Sequence, residues 1–200
     1  WLELSEQEAQ KLIGAPELDF YKHYLDSSRR YKEHVLSEEQ EQILSAKSVT
    51  GRSAWVRFFD ETLGQARFEL DGREYSEQEV LSKLHDSDRD LRIRAHASLT
   101  KKFKELAHPL TFVFNTLLAD KSANDKLRKY PSWISSRNLS NETDAATVDA
   151  LVDSVCSHYP LVQRYYKLKS KLLGLEQMFD YDRYAPLLKN ETTITWEEAK

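Results

Sequence analysis

Two long rows of apolar residues at helical spacing dominate this sequence. The first row recurs at intervals of 4, 3, 4, 3 and 4 residues and comprises Leu99, Phe103, Leu106, Leu110, Val113 and Leu117. The second recurs at intervals of 3, 4, 4, 3, 4 and 7 residues and comprises Val148, Leu151, Val155, Tyr159, Val162, Tyr166 and Leu173. Such spacing places the apolar side chains on one face of an α-helix. The sequence therefore predicts two long amphipathic helices.

Two prolines and a glycine are predicted to interrupt or end these two helices. A proline inside a helix removes one hydrogen bond and clashes with the preceding turn. Pro109 is therefore predicted to kink or split the first helix, and Pro160 to bend the second. Gly174 is predicted to end the second helix. Residues 121–141, which are largely polar, are predicted to form a connection containing at most one short helix.

Three Ser-x-x-Glu/Gln patterns indicate further helix N-termini. They begin at Ser5, Ser37 and Ser76. In this pattern the serine side chain accepts a hydrogen bond from the third amide of the helix, and the Glu or Gln at that position bonds back to the serine amide. Other helices are predicted near Pro16 and after Gly51.

One segment favours β-structure instead. Residues 66–75 contain Asp71-Gly72, a pair preferred in two-residue type I′ turns, where both residues need positive φ. This turn would pair Phe68 with Tyr75 across a hairpin. Because an isolated hairpin is marginally stable in water, its apolar face is predicted to pack on helices. We therefore predict a mainly α, multi-helical fold with one β-hairpin, at about residues 66–75, and long kinked helices.

Composition excludes several classes of protein. The 5 glycines and 5 prolines are too few for a loop-rich or all-β fold. With 29 basic and 33 acidic residues the net charge is -4, which argues against a general nucleic-acid binder. The 31% of charged residues leaves no stretch apolar enough to span a membrane. Cys156 is the single cysteine, which excludes internal disulfides and favours a reducing compartment, so we predict a cytoplasmic protein.

The residues provide no active site of their own. His-Glu-x-x-His is absent, and no two of the six histidines lie three or four residues apart, so these histidines are predicted to be surface or packing residues. Cys156 is predicted to be a small core residue. Tyr165 and Tyr166 precede several lysines, as in some single-strand binders, but inward tyrosines and solvated lysines explain them better. The chain starts at Trp1 and stops within an apparent helix start, so we expect a segment of a longer protein.

The most unusual polar segment is Asp180-Tyr-Asp-Arg-Tyr-Ala-Pro186. It places acids, an arginine and two tyrosines between helices. Both a functional wall and a salt-bridged structural corner fit this composition, and we favour the corner. The residues assigned to it are Tyr181, Asp182, Arg183 and Tyr184.

Several ordered strings resemble one enzyme family. They are Thr50-Gly-Arg-Ser-Ala-Trp55, Phe58-Phe-Asp-Glu61, Asp88-Arg-x-Leu-Arg-x-Arg-Ala95, Val148-Asp-Ala-Leu-Val-Asp153, Tyr165-Tyr-Lys-Leu-Lys-x-Lys-Leu-Leu-Gly-Leu175 and Tyr181-Asp-Arg-Tyr-Ala-Pro-Leu187. With Asp71-Gly72 between them, they resemble oligoendopeptidase F, a family of bacterial zinc metallopeptidases related to thimet oligopeptidase. The resemblance runs from about Leu18 onward and is weakest over residues 121–141.

The resemblance implies a parent protein with a helical shell around a channel that admits short peptides. In this family zinc is held by the two histidines of His-Glu-x-x-His and by a glutamate on a following helix. That motif belongs downstream of residue 200, so no catalytic or metal residue is assigned to this chain. By resemblance, residues 1–87 are the N-terminal helical region and residues 88–200 the first helices of the catalytic domain. The Tyr181–Tyr184 corner would then lock the catalytic helices.

Three functional hypotheses follow from these observations. The first is a segment of a zinc oligoendopeptidase, inactive alone, whose parent takes peptide substrates and binds neither nucleic acid nor membrane. The second is a non-enzymatic helical scaffold or protein-binding module. The third is a related metallopeptidase with another cleavage preference. The sequence leaves the oligomeric state open.

Overall fold

The computed structural model describes residues 1–187 and 195–200, which are mostly helical. Two strands, β1 (Phe68–Leu70) and β2 (Arg73–Tyr75), form an antiparallel hairpin. Short 3₁₀ turns occupy Pro16–Tyr21, Lys32–His34 and Asp180–Asp182. The α-helices in the described residues are α1 (Glu6–Ile13), α2 (Lys22–Arg29), α3 (Glu38–Ser48), α4 (Arg52–Gln65), α5 (Glu77–Lys83), α6 (Arg89–Glu105), α7 (Ala107–Leu127), α8 (Ser135–Ser140), α9 (Ala145–Ser157) and α10 (Tyr159–Leu172). The predicted mainly α fold with one hairpin is confirmed.

The chain forms two compact units, each built from two separate stretches of sequence. The first unit comprises Trp1–Val56 and Val113–Ser157. The second comprises Arg57–Phe112 and His158–Lys200. These units are defined by spatial contacts, whereas the regions predicted at 1–87 and 88–200 are defined by resemblance to a family. The latter division stays a prediction.

The three predicted helix starts are confirmed as capping boxes. Ser5, Ser37 and Ser76 are the N-caps of α1, α3 and α5. In α5 the Ser76 amide donates to a Glu79 carboxylate oxygen at 2.7 Å, and the Glu79 amide donates to Ser76 Oγ at 3.4 Å. Each cap satisfies amides that the first helical turn leaves free, a contribution of about 1 kcal/mol.

The hairpin has the predicted turn and register. Asp71 and Gly72 have φ values of 53° and 77°, as a type I′ turn requires. Phe68 pairs with Tyr75 across the two strands. Gly72 adopts this φ without the steric penalty that a side chain would bring. The turn therefore fixes which strand residues face the helices.

The hairpin supplies the centre of the second unit's apolar core. Phe68 is fully buried, and its ring meets that of Phe103 edge-on, with the ring centroids 5.7 Å apart. The buried members of this core come from β1, α5 and α6 and are Phe68, Leu70, Val80, Ala95 and Leu99. The prediction that the hairpin packs on helices is confirmed.

Pro109 and Pro160 each lie in the first turn of a new helix. The first predicted helix is interrupted at Leu106, between α6 and α7, and Pro109 is the third residue of α7. The second predicted helix is interrupted at His158, between α9 and α10, and Pro160 is the second residue of α10. In a first helical turn the missing proline amide removes no helical hydrogen bond. The predicted split at Pro109 is confirmed, whereas the predicted bend at Pro160 is wrong because the helix ends there.

Gly174 ends α10 as predicted. Its φ is 66°, in the left-handed region. The Gly174 amide donates to the Lys171 carbonyl at 3.1 Å, and the Leu175 amide donates to the Ser170 carbonyl at 2.9 Å. This pair of hydrogen bonds is a Schellman motif, which satisfies the last carbonyls of the helix.

The polar stretch 121–141 is more helical than predicted. Helix α7 continues through its first part to Leu127, and α8 lies within it. A salt bridge between Lys121 and Asp125, one turn apart, supports the extension of α7. The expectation of a connection with at most one short helix is therefore wrong for residues 121–127.

We predict that Phe68→Ala lowers the free energy of unfolding by about 3–5 kcal/mol, because it leaves a cavity among helices α5 and α6. The control is Phe20→Ala, since the Phe20 side chain is 90% exposed and its removal is expected to change stability by about 0.5 kcal/mol or less. Urea denaturation followed by circular dichroism measures both values. Equal effects of the two substitutions would contradict this core.

Candidate functional site

The described residues offer no site for a metal ion. Within residues 1–187 and 195–200, no group of three or more His, Cys, Asp or Glu side chains converges. Two histidine–carboxylate pairs lie among these residues, His96 with Asp180 at 2.9 Å and His23 with Glu142 at 3.1 Å, and each offers a metal only two ligands. A catalytic zinc needs three protein ligands, so this part of the chain does not fit that ion.

The predicted polar corner contains the most buried carboxylate in the described residues. Asp182 is fully buried in the 3₁₀ turn Asp180–Asp182. One of its oxygens accepts hydrogen bonds from Arg89 Nε at 3.0 Å and Arg92 Nη2 at 2.9 Å. The other accepts from Arg89 Nη2 at 2.9 Å and the Phe179 amide at 3.1 Å. This carboxylate therefore joins the start of α6 to the segment that follows α10.

Arg92 extends the same network to the backbone. Its side chain is 3% exposed. Nε donates to the Tyr181 carbonyl at 3.1 Å, and Nη1 donates to the carbonyls of Asp86 at 2.8 Å and Ser87 at 3.2 Å. One guanidinium thus binds the loop before α6 and the 3₁₀ turn at the same time. The fixed fork of an arginine suits such a multiple contact better than an ammonium would.

Lys169 of α10 approaches the same segment from the other side. The residue is buried, and its ammonium donates to the Arg183 carbonyl at 2.8 Å. Burial lowers the pKa of Lys169, and the positive charge of Arg92 lowers it further. The network of Asp182, Arg89, Arg92 and Lys169 is called the Asp182 cluster below.

The hydrogen bonds keep Asp182 ionised. Burial alone raises the pKa of a carboxyl group. Here the hydrogen bonds from Arg89 and Arg92, together with the Phe179 amide, outweigh burial and hold the pKa of Asp182 below its ordinary value. The cluster is therefore a charged network at neutral pH.

The other three predicted corner residues are less buried. The Tyr181 ring lies under the Arg89 guanidinium, 5.3 Å from its centroid. Arg183 and Tyr184 are exposed and contact each other. Tyr184 also stacks on His85, with the ring centroids 4.5 Å apart. Of these four consecutive residues, only Asp182 is buried. Their role in locking catalytic helices stays a prediction.

The partners of Asp182 were not predicted from the sequence. Arg89 and Arg92 lie 93 and 90 positions away along the chain. Their own spacing of three residues places both on one face of α6, which is the signal that a search for a paired carboxylate could have used. One of the lysines that follow Tyr165 and Tyr166, Lys169, is not solvated as predicted, because it is buried and its ammonium donates to the Arg183 carbonyl.

Two other predictions are wrong. Cys156 is exposed on α9 instead of lying in a core. Tyr165 is 49% exposed on α10 and does not pack inward. Both errors have one cause, since helical spacing identifies an apolar face but not whether the described chain covers that face.

A second charged contact stabilises the first unit. Arg128, just after α7, holds Glu41 of α3 through two hydrogen bonds of 2.7 and 2.8 Å. The Leu36 amide also donates to Glu41, at 3.2 Å. The Arg128 hydrogen bonds, assisted by that from Leu36, lower the pKa of Glu41 to about 2. His34 completes the contact, with Nδ1 2.8 Å from the Arg128 carbonyl.

Similarity to known proteins covers nearly the whole chain. Residues 1–68 match the family model described as Oligopeptidase F. Group B oligopeptidase PepB of Streptococcus agalactiae is 28% identical over 207 residues, which cover 99% of this chain and 34% of PepB. Oligopeptidase PepF of Bacillus subtilis is 27% identical over 208 residues, which cover 100% of this chain and 31% of PepF. The resemblance to oligoendopeptidase F is confirmed.

Solved structures agree with this relationship. Oligoendopeptidase-F from Enterococcus faecium superposes with a TM-score of 0.81 at 26% identity, over 95% of this chain and 39% of that one. A structure described as a putative peptidase from Chlamydophila abortus gives a TM-score of 0.84 at 21% identity, over 99% of this chain and 34% of that one, and shares the fold. The chain spans about a third of the length of the curated oligopeptidases it matches.

We predict that Asp182→Ala lowers the free energy of unfolding by about 3–5 kcal/mol, because it leaves Arg92 buried without its counter-ion. Asp180→Ala is the matched control. The Asp180 side chain is 73% exposed, so the loss of its pair with His96 is expected to cost less than about 1 kcal/mol. Chemical denaturation at pH 7 measures both, and similar losses for the two variants would rule out a special role for Asp182.

A second prediction concerns acid stability. The folded-state pKa of Glu41 is lowered from 4.5 to about 2, so its contribution is complete above pH 4.5 and is lost as the pH falls towards 2. The stability difference between the wild type and Glu41→Gln is therefore expected to shrink over that interval, because glutamine does not titrate. Urea denaturation at a series of pH values tests this, and a difference that stays constant down to the acid limit of folding would contradict it.

Proposed function

We propose that this chain is part of a zinc-dependent oligoendopeptidase that hydrolyses short peptides inside a helical channel. The observation that carries the proposal is the likeness over 99% of the chain to an oligopeptidase, joined to the fold shared with an oligoendopeptidase F. The two likenesses cover 99% and 95% of the chain, so they extend beyond the first 68 residues that the family model matches.

Within that protein the chain is proposed to supply two adjoining regions of the shell. Residues 1–87 are the N-terminal helical region, and residues 88–200 are the first helices of the catalytic domain. The family-model match at residues 1–68 falls entirely inside the first of these regions, which supports the division. The second region begins at Asp88, the N-cap of α6, whose side chain accepts a hydrogen bond from the Asp90 amide.

The proposed role of this chain is structural. Its described residues do not fit zinc, so the zinc ligands and the glutamate that activates the hydrolytic water are assigned to the rest of the polypeptide. The Tyr181–Tyr184 segment, held by Arg89, Arg92 and Lys169, is proposed to fix where the chain leaves α10 and thereby to position the helices that follow. On this proposal the chain alone is inactive.

The proposed substrates are short peptides, and the proposed compartment is the cytoplasm. The net charge of -4 and the single cysteine support a protein of a reducing compartment that does not bind nucleic acid. In the described residues no helix combines the length and the apolar character that crossing a bilayer demands.

We predict that the full-length protein cleaves a quenched fluorescent oligopeptide, that a chelator abolishes cleavage, and that added zinc restores it. The matched control changes the glutamate of His-Glu-x-x-His to glutamine, which is expected to leave zinc content intact while removing most turnover. A full-length sequence without this motif, or a pure protein inert towards peptides, would favour the alternative of a non-enzymatic helical scaffold or protein-binding module. Cleavage of peptides at positions other than those cleaved by oligoendopeptidase F would indicate a related metallopeptidase of the same fold.

A further inference from the structure

Helix α10 carries a row of apolar side chains that the described part of the chain leaves exposed. Leu161, Tyr165, Leu168 and Leu172 follow one another at intervals of 4, 3 and 4 residues, so they lie along one face of the helix. Between 49% and 63% of each residue is exposed. We call this row the α10 stripe. A continuous apolar row of this kind marks a surface that contacts another structure.

The rotation of α10 about its axis is fixed. Lys169 of the same helix is buried, and its ammonium donates to the Arg183 carbonyl, next to Asp182 in the chain. Turning the α10 stripe inward would move this ammonium away from its acceptor and from the Asp182 carboxylate. Lys169 lies one turn after Tyr165, so its buried contact with the Arg183 carbonyl fixes the direction in which the neighbouring stripe faces.

The surroundings of the stripe are strongly basic. Besides the buried Lys169, the segment Tyr159–Leu172 contains Arg164, Lys167 and Lys171 and no acidic residue, although the whole chain has a net charge of -4. A surface depression of about 680 Å³ runs along α10 between Leu161 and Lys171. A complementary partner has apolar side chains to fill this depression and carboxylates to meet the flanking cations.

We infer that the α10 stripe is covered by an amphipathic, acid-flanked segment of the same polypeptide that lies outside these 200 residues. The inference rests on the proposed function, in which the chain belongs to a longer peptidase. The curated oligopeptidases that it matches are about three times its length, so they contain ample chain to supply such a segment.

Other occupants fit the surface less well. In a symmetric dimer through α10 the cations of one copy would face those of the other, which is unfavourable. A single-stranded nucleic acid would find aromatic and basic groups, but Leu161, Leu168 and Leu172 offer its phosphates nothing, and the overall charge of the chain is negative.

The test uses the full-length protein with Cys156 changed to serine. Leu168→Cys is introduced on the stripe, and Glu74→Cys, on the exposed face of the hairpin, is the matched control. The rate of thiol labelling by an uncharged maleimide is measured in buffer and in denaturant. In buffer we expect the thiol at position 168 to react at least about a hundredfold more slowly than the thiol at position 74, because labelling at position 168 requires local opening. In denaturant we expect the two thiols to react at equal rates.

The outcomes that overturn the inference are distinct. Equal rates in buffer mean that the stripe is free. Protection that appears only with added oligopeptide makes the stripe a peptide site, and protection that appears only with oligothymidylate makes it a nucleic-acid site. Protection that depends on protein concentration, with a dimer in light scattering, identifies a second copy. Since labelling needs no catalysis, a protected but inactive protein would refute the proposed function while supporting this inference, and an active protein with a reactive thiol would do the reverse.

Discussion

The second unit depends on one buried carboxylate. Asp182 has no exposure to solvent and is held by two guanidiniums and a backbone amide. Removing either side of such a pair leaves an uncompensated charge in a medium that solvates it poorly. Arg92 also binds the Asp86 carbonyl in the loop before α6, and Lys169 of α10 binds the Arg183 carbonyl next to Asp182. The positions of α6, α10 and the turn at Asp180–Asp182 are therefore mutually dependent.

Local sequence signals set where the helices of both units begin and end. Capping boxes begin α1, α3 and α5, a Schellman motif ends α10, and the prolines lie in the first turns of α7 and α10. These devices satisfy backbone groups at helix ends but do not determine how helices are placed. In the second unit that placement comes from the hairpin core and the Asp182 cluster.

The sequence predicted what depends on neighbouring residues and failed where distant residues decide. The hairpin followed from Asp71-Gly72, because few residue pairs accept two positive φ values. Arg89 and Arg92 share a face of α6, but the sequence did not show that Asp182, about 90 residues away, is their partner. The exposed Cys156 and the α10 stripe show the same limit, because an apolar face has the same spacing whether or not it is covered. The cluster was found only as an unusual acidic and aromatic segment, without its partners.

A double-mutant cycle between Asp182 and Arg92 tests the central claim most directly. The free energies of unfolding of Asp182→Asn, Arg92→Leu and the double variant are compared with that of the wild type. If the carboxylate and guanidinium act as one buried unit, the second substitution has little further effect, and the coupling energy is at least about 1.5 kcal/mol. Effects that add to within about 0.5 kcal/mol would contradict the account, because the two residues would then stabilise the fold independently.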